Sequence, residues 1–268
     1  MARKISRRRL LHGSVIATGA LAAGIGVPRL LKADDAAWGD LVGRLVYDGR
    51  APERKKLKVD KDVDCCGKFD IRDESLMVGP DGGLGNVFVY ARTRKIAVCP
   101  ELEQALTKRV KLDNRDCIFK PHCMSIWYSR QEFYILNSDP IAQNVDFRPL
   151  GDLPANIILS PAPGTNVDAT WKFNKMQLLP VPIACNYHPW ESAYILPRDN
   201  PYVAISALDG TFRMPKLPVG KIEFQVWQER ALYVETPAWP RGRFQWEIRP
   251  GVNDLGTIKL LPAKFEKK

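Results

Sequence analysis

Turn-forming residues punctuate this chain from end to end: 21 prolines and 19 glycines are spread over 268 residues without clustering. Proline removes a backbone donor and clashes with the preceding helical turn, and glycine in a helix interior costs about 1 kcal/mol relative to alanine. Long helices are incompatible with that spacing, whereas short strands joined by turns are favoured by it. The one amphipathic helical pattern runs over residues 100–110, where Leu102, Ala105, Leu106 and Val110 share a face.

Strand patterns recur between the turn signals. Leu41-Val42-Gly43-Arg44-Leu45-Val46-Tyr47 alternates and ends at Asp48-Gly49, and Val87-Phe88-Val89-Tyr90 is apolar enough for burial on both faces. Phe133-Tyr134-Ile135-Leu136 runs into the turn cluster Asn137-Ser138-Asp139-Pro140. Tyr194-Ile195-Leu196, Tyr202-Val203-Ala204-Ile205, Ile222-Glu223-Phe224-Gln225-Val226-Trp227 and Arg243-Phe244-Gln245-Trp246-Glu247-Ile248 complete the set. Such strands predict an all-β protein built as one or two sandwiches.

The N-terminus has the order of an export signal. Basic residues and the twin arginine of Ser6-Arg7-Arg8-Arg9-Leu10-Leu11 precede an uncharged, Gly- and Ala-rich stretch over residues 15–27. That stretch is short and glycine-broken against the ~20 residues of a spanning helix. Residues 1–36 are therefore expected to be a twin-arginine signal, cleaved near Ala33 to Ala37, and the protein is expected to be periplasmic or otherwise extracytoplasmic, without strong membrane association after cleavage. Retention as an ordinary anchor is the competing reading. The stretch before Asp34 carries seven basic residues and no acid, so its removal takes the formal charge from +10 to about +3. No basic cluster remains, which argues against nucleic acid as a partner.

Export permits disulfides. Among the six cysteines, a bridge from Cys65 or Cys66 to Cys117 is preferred, with Cys99 to Cys123 as a second. Spacing by itself does not fix connectivity, and a structural bridge through Cys185 is the bland alternative for that residue.

The chemistry concentrates in Ala184-Cys185-Asn186-Tyr187-His188-Pro189-Trp190-Glu191, which places a thiol, an imidazole and a carboxylate three residues apart in a proline-constrained loop. A type 1 copper site uses a short thiolate bond, two imidazoles and a weak axial donor, usually a thioether. The spacing Cys-x2-His-x2-Met supplies three of those four groups, and here the last position is Glu191. His122 and His188 are the histidines outside the export segment, so a site with two imidazoles has to use both; His12 is lost with the signal. A satisfied structural role is the bland reading for His122. Enzymatic signatures such as Gly-x-Ser-x-Gly, His-Glu-x-x-His or a phosphate-cradling loop are absent. A Cys185-His188 nucleophile pair lacks an orienting group and oxyanion donors. An enzyme is therefore not expected. Trp239 and Trp246 leave a carbohydrate-binding stripe open as a minor alternative.

Several ordered fragments resemble the cupredoxin-like, methylamine-utilisation-type plastocyanin proteins of planctomycete-type bacteria. They include Asp73-Glu74-Ser75-Leu76, Gly82-Gly83 with Asn86-Val87, Leu112-Asp113-Asn114 with Cys117 and Pro121-His122, and Asn137-Ser138-Asp139-Pro140. Further on come Cys185-Asn186-Tyr187-His188-Pro189-Trp190, Asp199-Asn200-Pro201-Tyr202 and Val226-Trp227-Gln228-Glu229. The resemblance implies a Greek-key β-sandwich, copper, electron transfer and a redox partner protein such as a cytochrome. The departures fall on ligand positions: Gln143 precedes Asn144 where that family has a His-Asn pair, Glu191 replaces Met, and Gln228 replaces a His.

The expected ligand set is Cys185, His188, Glu191, Gln143 and His122, holding copper or zinc. Oxygen donors at two positions shift the preference from Cu(I) toward Cu(II) or zinc and impair rapid electron transfer. A metal-free binding or structural module of the cell envelope is the alternative.

The run from Leu208 to Gly220 resembles a hairpin of transthyretin-like, carboxypeptidase regulatory-like β domains. The expected organisation is thus a β segment at 38–74 packing with the C-terminal module, a cupredoxin-like domain at 75–198, a transthyretin-like module at 199–263 and a disordered tail at 264–268.

Overall fold

A computed structural model describes residues 37–266. Residues 1–36, where a twin-arginine signal is expected, lie outside the described residues. Nearly all regular structure is β, as expected, and none of the described helices is long and apolar enough to cross a membrane.

The first strand, Trp38–Tyr47, buries Leu41 and Leu45 completely and lies between two C-terminal strands. It pairs antiparallel with Thr211–Pro218 and parallel with Gly251–Leu260. The first described strand and two strands from the C-terminal part of the chain thus share one sheet. A second sheet runs in the order Val203–Ile205, Phe88–Ala91, Gly220–Gln228, Leu232–Tyr233, with Arg243–Ile248 also paired to Gly220–Gln228. Leu41, Leu45, Val89, Phe224 and Val226 belong to one shared core, so the two sheets bury their apolar faces on each other. Each large side chain sealed there contributes roughly 1.5–3 kcal/mol.

The central segment forms another sandwich. Its five-stranded sheet has the order Ala155–Leu159, Gln143–Phe147, Val181–Ala184, Ser192–Arg198, Cys123–Trp127. The facing sheet has the order Asp168–Trp171, Glu132–Asn137, Arg109–Arg115, Ile118–Lys120. Phe133, Ile135, Val145, Phe147, Ile183 and Ile195 fill the space between them. Phe147 meets Phe133 and Trp171 edge-on, with ring centroids 5.8 and 5.6 Å apart, a preferred aromatic arrangement. Each sheet contains one parallel pair, Ser192–Arg198 with Cys123–Trp127 and Arg109–Arg115 with Glu132–Asn137. Parallel neighbours need crossover connections rather than tight hairpins, which is why the segments between these strands are long.

Three expectations change. The boundary placed at residue 75 moves, because Phe88–Ala91 joins the sheet of Gly220–Gln228 and not the central sandwich. That strand is buried on both faces, as its composition suggested. Val89 and Ala91 point into one core, while Phe88 and Tyr90 pack with Cys123, Leu196 and Trp227 and so knit the sandwiches together. The tail expected at residues 264–268 is ordered through Glu266: Pro262–Lys264 forms a short turn, and Phe265 is buried against Tyr47 at 5.6 Å. Lys267 and Lys268 lie outside the described residues. The helix foreseen over 100–110 is shorter, Pro100–Ala105, and a second short helix, Val63–Cys66, was not foreseen.

Candidate metal centre

Strand register assembles the site. Ile183 pairs with Phe147 and Ala184 with Asp146, so the chain leaving Ala184 runs beside Asn144 and Gln143 at the start of the neighbouring strand. Val181–Ala184 and Ser192–Arg198 are antiparallel partners, and the loop between them carries Cys185, His188 and Glu191. Asn144 Oδ1 accepts the backbone N–H groups of Asn186 (2.7 Å) and Tyr187 (3.2 Å), and Glu191 N–H donates to the His188 carbonyl at 2.9 Å. These bonds fix the loop from both sides.

The side chains converge. Cys185 Sγ lies 3.6 Å from His188 Nδ1 and 3.5 Å from Gln143 Oε1. His188 Nδ1 lies 3.4 Å from Glu191 Oε1 and 2.8 Å from Gln143 Oε1. All four residues are sealed, with exposures of 2% for Cys185, 1% for Glu191 and 0% for His188 and Gln143. Bonds of ~2.3 Å to sulfur and ~2.0 Å to nitrogen or oxygen at tetrahedral angles put sulfur about 3.5 Å from nitrogen, and nitrogen about 3.3 Å from oxygen. The Cys185–His188 and His188–Glu191 separations match that spacing. The Gln143–His188 separation is shorter and is that of a hydrogen bond.

The network around these atoms favours a cation. His188 Nε2 lies 2.9 Å from Asp62 Oδ2; when the ring donates outward there, its Nδ1 lone pair faces the cluster, and when Nδ1 carries a proton it donates to Gln143 Oε1 instead. Gln143 Nε2 donates to Glu191 Oε1 (3.1 Å) and Asp139 Oδ2 (3.2 Å), which aims the amide oxygen at the same point. Glu191 Oε2 is buried without a hydrogen-bond partner. Burial, and then the charge of Asp139, push the Glu191 pKa up to about 8, against the Gln143 hydrogen bond. Burial and the Glu191 charge push the Cys185 thiol up as well. Several lone pairs facing one point in a dry pocket repel unless a proton or a metal ion sits among them. Binding of a divalent ion would displace protons from the thiol and the carboxyl group.

Two expectations about individual residues are corrected. His122 is not part of this centre. Its Nε2 lies 2.8 Å from Glu229 Oε2 and its Nδ1 3.8 Å from Glu74 Oε2, and its ring stands 6.0 Å from that of Tyr194. The cis peptide Lys120–Pro121 precedes it, and its carbonyl accepts the Tyr194 N–H, which places it where the two sandwiches meet. Cys99 and Cys123 are not bridged: Cys99 N–H bonds Tyr202 Oη ahead of the helix Pro100–Ala105, while the Cys123 thiol faces the Asn86 carbonyl at 3.8 Å. The preferred bridge is present as Cys66–Cys117, and Cys185 is free, which removes the reading of a structural disulfide there.

Asp62 was missed by sequence reasoning. It lies 126 positions from His188, in a segment with no metal-type motif. An Asp62→Asn variant keeps the size of the side chain and removes its charge. Metal affinity is expected to fall about 10–100-fold, as for other outer partners of ligating histidines, and competition titration against a chromophoric chelator measures it.

His122 carries a separate expectation. Burial opposes charging of its ring, yet the hydrogen bond and charge of Glu229, with the charge of Glu74, outweigh it and hold the pKa above its ordinary 6.5. The raised value stabilises the fold fully below pH 6.5, and that contribution is lost as pH rises through the folded-state pKa. Urea unfolding of the wild type and of Glu229→Gln from pH 6 to 9 should show the difference in stability shrinking as pH rises. A difference constant across that range would contradict the coupling.

The fold and the cluster define an all-β protein with a buried thiol–imidazole–carboxylate group of metal-ligating side chains. No family model matches the chain, and no curated protein matches it. Among solved structures, the chain is similar to an amicyanin from Paracoccus versutus, with 11% identity and a TM-score of 0.28, covering 41% of this chain and 97% of that one. It is also similar to a purple cupredoxin from Nitrosopumilus maritimus, with 14% identity and a TM-score of 0.25, covering 33% of this chain and 99% of that one.

Proposed function

We propose that this is an exported, cupredoxin-like protein whose centre of Cys185, His188, Glu191 and Gln143 binds copper or zinc at a modified type 1 site. The observation that carries this reading is the convergence of Sγ, Nδ1 and Oε1 at 3.6 and 3.4 Å in a sealed pocket that leaves Glu191 Oε2 without a partner. Its supports are the position of the centre at one end of the central sandwich, on neighbouring strands of one sheet, and the Asp62 contact behind the imidazole. Export rests on the twin arginine at Arg7-Arg8 and is consistent with the Cys66–Cys117 bridge.

The metal would supply a Lewis acid or a one-electron couple. The chain supplies a soft thiolate with a nitrogen and two oxygen donors, a set that favours Cu(II) or zinc over Cu(I). His188 has no exposed edge, so a redox partner such as a cytochrome would have to couple through the covering segment around Asp62. Slow electron transfer, or metal holding without turnover, fits that enclosure. The pairing of the C-terminal strands with Trp38–Tyr47 supports a transthyretin-like module beside the central domain, and no catalytic role is proposed.

A second reading has its own observation. The 2.8 Å contact of Gln143 Oε1 with His188 Nδ1 closes the network with a proton alone, as a metal-free binding or structural module would require. Metal analysis of protein isolated from the cell envelope, followed by visible spectra with added Cu(II), separates the two. Stoichiometric zinc or copper, or a thiolate-to-copper band on titration, supports the metal centre. Protein that stays metal-free and colourless throughout supports the module.

A further inference from the structure

The sulfur atoms of Cys65, Cys66 and Cys117 all lie within 4.8 Å of one another. Cys66 and Cys117 are bridged, while Cys65 is a free, partly exposed thiol beside the bridge. Pairing needs only two of these sulfurs. A third at this distance is a free thiol beside a disulfide, a place from which exchange is chemically open to it as a thiolate, and a structural bridge has no use for it.

The surroundings favour positive charge. Burial, then the negative charges of Asp139 and Asp62, push the Cys65 thiol up, with Lys68 opposing. The same two carboxylates reach the first centre: Asp62 touches His188, and Asp139 Oδ2 accepts both the Cys117 N–H (3.0 Å) and Gln143 Nε2 (3.2 Å). A small apolar cluster of Ile71 with Leu57, Val59, Phe69, Ile118 and Trp190 surrounds the bridge and excludes water from it.

We propose that Cys65, Cys66 and Cys117 form a second metal site, specific for Cu(I), that opens when a dithiol reductant reduces the Cys66–Cys117 bridge. The reductant passes two electrons and two protons to the bridge and leaves as its own disulfide, giving two thiols beside that of Cys65. One Cu(I) then binds the three sulfurs and releases their protons to solvent. Three thiolates without an imidazole select Cu(I) over divalent ions. A trigonal ion with metal–sulfur bonds of ~2.3 Å holds its sulfurs about 4 Å apart, so the bridged sulfurs of Cys66 and Cys117 have to part on reduction, while that of Cys65 already lies within 4.8 Å of both. The site is closed in the oxidised protein, so it reports the thiol poise of its compartment as well as copper supply. It does not rest on occupancy of the Cys185 centre.

The test is anaerobic Cu(I) titration against bicinchoninate, before and after dithiol reduction and removal of the reductant, in the Cys185→Ser background that disables the first centre. Reduction should add one Cu(I) equivalent per chain. Cys65→Ser should weaken that equivalent at least 10-fold and change its X-ray absorption signature from three sulfurs to two. The proposal is overturned if reduction adds no equivalent, if the added equivalent is indifferent to Cys65→Ser, or if far-UV circular dichroism shows that reduction unfolds the sheets. Because the first centre is read separately in wild-type protein with Cu(II) or zinc, failure of either site leaves the other measurable.

Discussion

Replacing Cys185 with serine is expected to abolish stoichiometric binding of zinc and Cu(II) while leaving the sheets intact. The thiol is the single soft donor among the side chains of that centre, and its Sγ holds the separations to His188 Nδ1 and Gln143 Oε1. A hydroxyl at that position is a poor ligand at neutral pH, so the remaining imidazole, carboxylate and amide act as a weak, oxygen-rich set. The loss should exceed the roughly 10–100-fold that outer partners cost, removing both tight binding and any thiolate-to-copper band. Serine is close in volume to cysteine and retains Asn144 Oδ1, 3.3 Å from the present sulfur, as an acceptor. The metal-free variant should therefore unfold near the wild-type midpoint. Tight binding of zinc or Cu(II) retained in Cys185→Ser would place that metal elsewhere.

Removing the Cys66–Cys117 bridge is the second large effect. The cysteines are 51 positions apart, and closing a loop of that length stabilises the fold by about 4 kcal/mol in the chain-entropy model. For a domain of this size each kcal/mol moves Tm by about 2–4 °C, so Cys66→Ser/Cys117→Ser should melt roughly 8–16 °C below the wild type. The bridge pins the helix Val63–Cys66, whose N-terminal neighbour Asp62 holds His188 Nε2. The same double variant should therefore lose metal affinity, in the direction expected for Asp62→Asn. Thermal unfolding with and without bound zinc reads both effects. An unchanged melting point would show that the satellite cluster around Ile71 holds the segment without help.

Local patterns in the sequence carried the fold class and the heart of the site. Alternation named the strands at Leu41, Ile222 and Arg243, a turn cluster after an apolar run named the one at Phe133, and the spacing of Cys185, His188 and Glu191 named the loop that the structure closes. What stayed hidden depends on distance along the chain. Gly251–Leu260 is one of the two longest strands, yet its alternation is broken by Gly256 at φ +68° and by a register shift opposite Val42 and Arg44. Asp62 is an ordinary aspartate until folding brings it to His188. His122 looked like a second imidazole because it is one of so few. Only its contact with Glu229 shows that its ring is already engaged at the junction of the sandwiches. The boundary near residue 75 failed for a related reason: a strand apolar on both faces fits either core, and pairing with Gly220–Gln228 decides which.

The most direct measurement is anomalous diffraction at the zinc and copper edges from crystals of the protein grown with each metal. One peak per chain, bonded to Cys185 Sγ, His188 Nδ1 and Glu191, with the Gln143–His188 hydrogen bond displaced, is the expected result. A pocket without anomalous signal at either edge, with that hydrogen bond still closed, would contradict the metal centre.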